Sequence, residues 1–598
     1  MSFAQGQENR TYRDLSYENQ ESWKRVLFYQ GEQSVARKSF FLSENGRSDP
    51  EAEYQVLVKR LKKGFDEKIH CAYPRRLTFI QQVNKNIDIK IPFGSCDSYS
   101  KFQHTVLSQG QIRLAYTDPY LENPASTFGH LFLLLERTSG RAKASMLDIA
   151  VNFAVDPGSA TLSEYFLKGL FGGFEGRFFV RPYFSLVQEY NIMERRDIWE
   201  YPLKLTRQQK INLMDSLWEL RFEGFDYKFL SLNCASMMNL LIQAATGQDH
   251  WNHNQDYIIS PIATVQGLKP LYDNDIGYRP SIRTQLWARF DKLSKSSQKL
   301  VTSSLDTMKI PSKVHTLEEA GSAAVLDTIA DAVDYLDEVS GLKAPEKYAD
   351  LRNQSLRQRS KIKAYTDSAS RKHRGVAYGH PESRLDFHLI GSRDLMRKSI
   401  NFRPYLHSAS DPMEGYMPDS EFQLAEIEAV ERGNTAVEKR FDIQRFRLIG
   451  LSSTPLYRGL GDDLSWSVNV DFLRGDPTGV DYVSPEGTVK MTGGLGSSIS
   501  WAQHAKFIFL SLLEVGSYNE DQFVGLGYKL EHRFFTFSGI NINFGMHRFR
   551  YFYQNRHESK SRSYASGQVS INRTQSLRAE LASTQGKPTV KVGFSFYF

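Results

Sequence analysis

Hydrophobic and polar positions change their spacing three times along this chain. Up to about residue 70 the spacing is helical. "SWKRVLFYQ" and "EAEYQVLVKRLKKGF" set apolar residues on one face with charges between them. The intervening "FFLSENGRSDP" carries the turn pairs Asn45-Gly46 and Asp49-Pro50. From 110 to 155 the runs become short, apolar and strand-like: "QIRLAYTDPY", "FGHLFLLLER" and "MLDIAVNFAV". "LKGLFGGFEGRFF" follows and reads as tight loops or close backbone approach, which glycine permits. Next, "DIWEYPLKLT" predicts a strand. "RQQKINLMDSLWELRF" predicts an amphipathic helix with Leu213, Leu217 and Leu220 on its apolar face.

Residues 295 to 370 are polar and helical, with Leu326, Ile329, Val333 and Leu336 as the apolar stripe of "AAVLDTIADAVDYLDEV". The basic "RNQSLRQRSKIKAYTDSASRKHRG" after it reads as a solvated connector. From about 383 the period is two. In "LSWSVNVDF", Leu464, Trp466, Val468, Val470 and Phe472 alternate with Ser465, Ser467, Asn469 and Asp471. "SRLDFHLIG" repeats the pattern with Leu385, Phe387 and Leu389, and "PTVKVGFSFYF" with Val590, Val592, Phe594, Phe596 and Phe598. Roughly twelve such runs, each of about ten residues, match an antiparallel transmembrane β-barrel. A soluble antiparallel sandwich alternates too. The final aromatic residue, preceded by apolar residues at every second position, resembles the last strand of bacterial outer-membrane proteins and favours the barrel.

Length and composition narrow the rest. At 598 residues the chain exceeds one compact core, so two or three domains are expected. The net charge of +7 is modest and its Lys and Arg are dispersed, so no nucleic-acid partner is expected; lipopolysaccharide or anionic lipid fits the charge as well. No run of 18 apolar residues predicts a transmembrane helix. "MSFAQGQENRTYRDLSYENQ" has no apolar h-region, which alone points to the cytoplasm. "SFA" before "QGQ" matches the remnant of a small-residue cleavage site, and the barrel requires export, so an outer-membrane protein with a periplasmic catalytic domain is expected.

Three cysteines divide between two tasks. Cys71 and Cys96 lie 25 residues apart without metal-ligand spacing, so no zinc site, and no cofactor, is expected. They read either as two unrelated buried thiols or, in an oxidising compartment, as a disulfide. Cys234 in "FEGFDYKFLSLNCASMMNLLI" is the odd thiol, behind the N-cap residue Asn233. Met237, Met238 and Leu241 share its helical face, so the sulfur is expected at a core-facing helix start, where papain-like nucleophiles sit and the dipole favours a thiolate. Packing filler is the alternative. His130 in "ENPASTFGHLFLLL" opens an apolar strand, and a titratable group there needs a partner. If it faces Cys234, the two form a thiolate–imidazolium pair. Asn152, buried in the most apolar part of "LDIAVNFAV", is preferred over Asp148 as the group that orients the imidazole. The Cys234 N–H with Tyr116 or Ser126 is the expected oxyanion donor set.

The segments "CAYPRR", "NPASTFGHLFLLL", "IAVNFAV", "YFLKGLFGGFEGRF", "RRDIWEYPLKLT" and "YKFLSLNCASMMNLL", in this order over residues 20 to 245, resemble the N-terminal periplasmic domain of the lipoprotein intramolecular transacylase (Lnb) family. The resemblance implies a permuted papain-like fold, with the histidine strand before the cysteine helix, and His130 and Cys234 as the catalytic pair. Asn152 falls in a matching motif without an assigned role. Longer relatives also carry segments like "GHPESRLDFHLIG" and "NFRPYLHSASDPMEGY" before a strand-rich tail. The chain departs from the transacylase in its barrel-like tail.

The expected organisation is therefore α+β. A helical N-terminal region with a Cys71–Cys96 disulfide covers 1–105, a permuted papain-like thiol domain 106–250, a helical connector 251–378 and a barrel of about twelve strands 379–598. The expected activity is a cysteine-dependent acyltransferase or hydrolase at the outer membrane. Outer membrane lipid would be its partner and lipoproteins, acyl lipids or peptidoglycan its substrates. The alternatives are a cell-wall peptidase on the same scaffold and a non-enzymatic barrel with an interaction domain.

Overall fold

The N-terminal helices start at side-chain caps. Ser16 accepts from the Asn19 N–H ahead of helix Tyr17–Val26, and Asp49 from the Ala52 N–H ahead of Pro50–Leu61, with Pro50 at the first helical position. The structure is a computed structural model. It describes residues 11–85, 87, 89, 95–106, 110–120, 128–136, 146–155, 158, 161–249, 258–340, 345–364, 375–392, 395–417, 419–432, 440–460, 464–475, 487–502, 504–519, 521–536 and 539–598. Two compact units divide at residues 284 and 285.

In the first unit the helices pack around Trp23, Tyr54 and Phe79, behind the small ribbon β1 (Tyr29–Gln30) and β2 (Gln33–Ser34). Arg76 is fully buried between Glu53 at 2.7 Å and Glu219 at 3.0 Å, which ties helix Pro74–Val83 to helix Arg207–Leu220. Breaking such a buried pair costs about 3–5 kcal/mol, so it fixes where the helices dock. The Cys71–Cys96 disulfide forms, with 5.3 Å between Cα atoms, beside Trp218, whose Nε1–H donates to the Cys71 carbonyl at 2.7 Å.

Seven antiparallel strands make the sheet: β3 (Ile112–Thr117), β4 (His130–Leu135), β5 (Ile149–Val155), β6 (Phe174–Pro182), β7 (Ile198–Pro202), β8 (Phe225–Tyr227) and β9 (Gly277–Arg279). Their order is β8-β6-β5-β4-β3-β7-β9. β3 and β4 are buried on both faces, so their apolar runs are continuous instead of alternating. β9 pairs with β7 and carries the sheet past residue 250, where the sequence reading had begun the connector. The glycine-rich stretch is a helix, Leu162–Phe171, and not only a loop. Gly169 is needed inside it because a Cβ there would meet the Phe229 ring at 2.1 Å. Gly172 and Gly173, at φ +95° and +128°, then turn the chain into β6.

The second unit opens with helices Lys295–Thr307, Glu319–Ser340 and Pro345–Arg359. Leu326, Ile329 and Val333 are buried, as their spacing predicts, and Leu336 is half-buried. Strands follow: β10 (Arg384–Ser392), β11 (Leu395–Arg403), the short β12 (Tyr405–His407), β13 (Ser420–Arg432), β14 (Arg440–Ser453), β15 (Ser465–Arg474), β16 (Gly487–Ala502), β17 (Ala505–Tyr518), β18 (Asp521–Phe535), β19 (Ile540–Tyr553), β20 (His557–Asn572), β21 (Gln575–Thr584) and β22 (Lys587–Tyr597). They run β11-β10-β22-β21-β20-β19-β18-β17-β16-β15-β14-β13, and β13 pairs back onto β11, so twelve strands close a barrel and β12 lies outside the count. Phe387, Leu389, Val468, Phe472, Leu513, Leu526, Ile542 and Val592 are exposed on the outer surface. Arg384, Asp386, Asp471, Glu514 and Ser595 are buried inside. An apolar outer wall around a polar interior is the inverse of a soluble sandwich and belongs in a bilayer. Among the described residues no helix is long and apolar enough to cross a membrane.

Candidate active site

β4 starts at a position only glycine can precede. Gly129 has φ +92°, and a Cβ there would lie 2.6 Å from the Tyr116 ring. His130 follows as the first residue of the strand. Phe132 is opposite Asn152 in the β4–β5 register, and His130, two residues earlier, shares their face. Its Nε2–H donates to Asn152 Oδ1 at 2.5 Å, with both side chains buried. This bond leaves Nδ1 as the nitrogen that Asn152 does not engage. Asp148, the other sequence candidate, is buried as well, and its carbonyl accepts the Tyr183 N–H. It is the Asn152 side chain that reaches the imidazole.

Cys234 begins helix Cys234–Thr246, which packs against β4, β5 and helix Arg207–Leu220. Asn233 caps it as predicted, its Oδ1 accepting from the Ala235 and Ser236 N–H groups at 2.9 and 3.1 Å. Asn233 Nδ2 in turn donates to the Phe229 and Ile259 carbonyls, which fixes the loop before the cysteine. The sulfur lies within reach of the backbone N–H of Leu131, the residue after His130, and of the Ala235 and Cys234 N–H groups. Met237, Met238 and Leu241 are fully buried behind it.

Burial sets the charge state of the pair. The Cys234 thiol is pushed up to about 11 by desolvation, against the pull of those N–H groups and of the Arg196 charge. His130 is pushed down to about 4 by desolvation, with the Asn152 bond opposing and the Arg196 charge adding to the fall. The net cost to the thiolate is about 3 kcal/mol, so desolvation outweighs what the helix N-terminus returns. Desolvation of both groups thus opposes the ion pair that the helix dipole favours.

The sequence reading missed Arg196. It is buried, with its guanidinium 5.2 Å over the Tyr190 ring, and the Tyr190 ring is 5.4 Å from that of His130. Its Nε donates to the Asp118 carbonyl at 2.5 Å and its Nη1 to Glu194 at 2.6 Å. Asp118 follows the strand opposite His130, and burial, then the charge of Asp197, hold its carboxyl well above the usual range. Only the "RRD" ahead of a buried strand hinted at this cluster. The two expected oxyanion side chains fare differently. Tyr116 is buried across from Leu131, with its ring against Gly129; Ser126 lies outside the described residues.

Among the described residues, one group has metal-type donors close together: His380, His407 and Asp411 of the second unit, within 4.8 Å of one another. The two imidazoles bond each other at 3.0 Å, and Arg384, Arg403 and Arg578 occupy the carboxylate. That donor set does not suit a cation.

Residues 99–270 match the model of the Lnb N-terminal periplasmic domain, and 15–83 and 377–597 match two domains of unknown function, DUF7843 and DUF7840. No curated protein matches the chain. Among solved structures, an outer membrane channel from Pseudomonas putida F1 is 8% identical, covering 39% of this chain and 100% of its own at TM-score 0.25. The KdgM porin in complex with disordered oligogalacturonate is 6% identical, covering 36% and 99% at TM-score 0.23. LpxR from Salmonella typhimurium is 8% identical, covering 36% and 100% at TM-score 0.22. Residues 99–270 thus match the Lnb N-terminal periplasmic domain, in one chain with a closed twelve-strand barrel whose apolar outer wall belongs in a bilayer.

Proposed function

We propose that the chain is a cysteine-dependent acyltransferase or hydrolase acting on lipoprotein or lipid acyl groups in the periplasm, with its barrel as the outer-membrane anchor. The observation that carries this reading is the convergence at the start of β4: an imidazole held by Asn152 and a sulfur at the neighbouring Leu131 N–H. In the reaction, Nδ1 of His130 takes the Cys234 thiol proton as the sulfur attacks an ester carbonyl. The Leu131 and Cys234 N–H groups would stabilise the charge that develops there. Collapse of the tetrahedral adduct breaks the ester C–O bond, and the imidazolium gives its proton to the leaving alcohol. His130 then deprotonates an acceptor amine or water, which attacks the thioester, and Cys234 regains its proton. Burial of both groups favours proton transfer and attack occurring together. On this reading the fold is the permuted papain-like one, its histidine strand preceding its cysteine helix.

A lipid-borne substrate is favoured by the surface beside the site. Phe179 is paired with Asn152 across β5 and β6 and is partly exposed, and Val180 and Phe184 follow it. Helix Leu162–Phe171, seated on the Phe229 ring ahead of the cysteine loop, exposes Leu167 and Phe171 at 56% and 78%. Exposed apolar side chains on these two elements support contact with lipid or an apolar ligand. The test is intact-mass analysis after incubation with phospholipid vesicles. An acyl adduct on Cys234 that is absent in Cys234→Ala supports the reading. Cleavage of peptidoglycan stem peptides without any adduct would replace it with the peptidase.

A further inference from the structure

We infer that the barrel is a closed anchor and not a conduit, with the segment 404–417 folded into its lumen as an internal plug and Asp411 as the latch. Asp411 is fully buried and gathers five strands onto one residue. Its Oδ1 accepts from Arg384 of β10 at 2.7 Å and Arg578 of β21 at 2.5 Å, and its Oδ2 from Arg403 of β11 at 2.5 Å. Tyr597 of β22 donates to Oδ1 at 3.2 Å, and Asn541 of β19 donates to the Asp411 carbonyl. Ser410, next to it, accepts from Arg578 at 2.9 Å. The donors all lie on the inward faces of their strands, as Arg384 does opposite the outward Leu385 and Phe387.

Further along the lumen, ion pairs reach across strands that are not neighbours. Arg533 of β18 meets Glu421 of β13 at 2.7 Å, although five steps of the twelve-strand ring separate them. Lys506 of β17 meets Asp419 at 2.9 Å, and Lys591 of β22 meets Glu428 of β13 at 2.5 Å. Past this lattice Phe523, Phe549, Tyr551 and Tyr553 pack as an apolar cluster, with Leu512 and Tyr518 against them. Among the described residues, two cavities of about 450 and 230 Å³ lie between these side chains and share Arg445, Arg447, Glu580 and Lys591 as walls. A conducting pore needs a continuous water column, and here side chains and a backbone segment cross it.

The experiment is single-channel recording of the full-length chain in planar bilayers, with heat-modifiable migration on gels to confirm that each variant barrel is folded. Wild type is expected to be silent. Asp411→Ala strips the counter-charge from Arg384, Arg403 and Arg578, so anion-selective steps are expected to appear. Replacement of residues 408–413 by a Gly-Ser linker leaves all twelve strands and should open the lumen even where Asp411→Ala does not fold. Steady wild-type conductance would overturn the inference. So would silence in a folded linker variant.

Discussion

Asn152→Ala tests the site most directly, because one hydrogen bond can be read in two ways. The Asn152 Oδ1 accepts the His130 Nε2–H at 2.5 Å between buried side chains. Removing the acceptor strands a buried N–H, which costs about 1–3 kcal/mol of stability. If the bond also holds the ring with Nδ1 toward the thiol, the acylation barrier rises by a similar amount, a rate loss of about 5- to 150-fold. The assay is the single-turnover rate of adduct formation on Cys234, normalised to folded protein. Asn152→Asp is the companion variant: it restores an acceptor but adds a negative charge that raises His130 from about 4. The base must be neutral, so activity is lost as pH falls through its pKa, and the acid limb of the rate profile should move to higher pH. An Asn152→Ala enzyme that loses stability but acylates at the wild-type rate, with an unchanged pH profile, refutes the positioning role.

Four further outcomes are expected. The Arg196 charge lowers both Cys234 and His130, so Arg196→Gln should shift the pH profile of Cys234 alkylation upward; a wild-type thiol titrating below about 8.5 would contradict the burial argument. His130 sits near 4 in the fold and about 6.5 unfolded, so its environment costs nothing above pH 6.5 and about 3 kcal/mol once pH falls to 4. Pulse proteolysis at pH 7.5 and 4.5 should show that loss in wild type and a flatter response in His130→Gln. Reduction of the Cys71–Cys96 bridge, which closes a 25-residue separation, should lower the stability of the first unit by about 3.5 kcal/mol in thermal melts with and without reductant. Leu167→Ser with Phe171→Ser should slow turnover of vesicle-borne substrate and spare a short soluble ester; equal losses on both would remove the lipid-contact role.

What could be read in advance follows physical locality. The barrel strands were legible because lipid outside and polar side chains inside impose period two on each of them. Leu464 to Phe472 therefore reveal their two faces without any knowledge of neighbours. Asn233 was legible as a cap because the rule spans three residues. Asn152 stood out as an amide in an apolar run. The Leu131 N–H had no such signature, since a backbone donor looks the same at every position. Arg196 reaches Asp118 only through the β3–β7 register, which the local sequence does not state. Gly169 misled because its reason, the Phe229 ring, is sixty residues away. The charge state of Cys234 depended on how completely the domain buries it, and a helix-start argument cannot supply that.

The closure of the barrel also sets an order of events. β10 is zipped to β22, with Arg384 opposite Tyr597, so the first strand of the ring waits for the last before its second edge is satisfied. The sheet of the first unit, by contrast, is complete once Arg279 has arrived. A chain emerging from its N-terminus can thus fold its thiol domain, and cross-link Cys71 to Cys96, while some two hundred residues of unpaired strand still need protection from aggregation. Protection during assembly is then needed for the barrel and not for the N-terminal domain, and a mutation that stalls ring closure would leave a folded, unmoored domain free in the compartment.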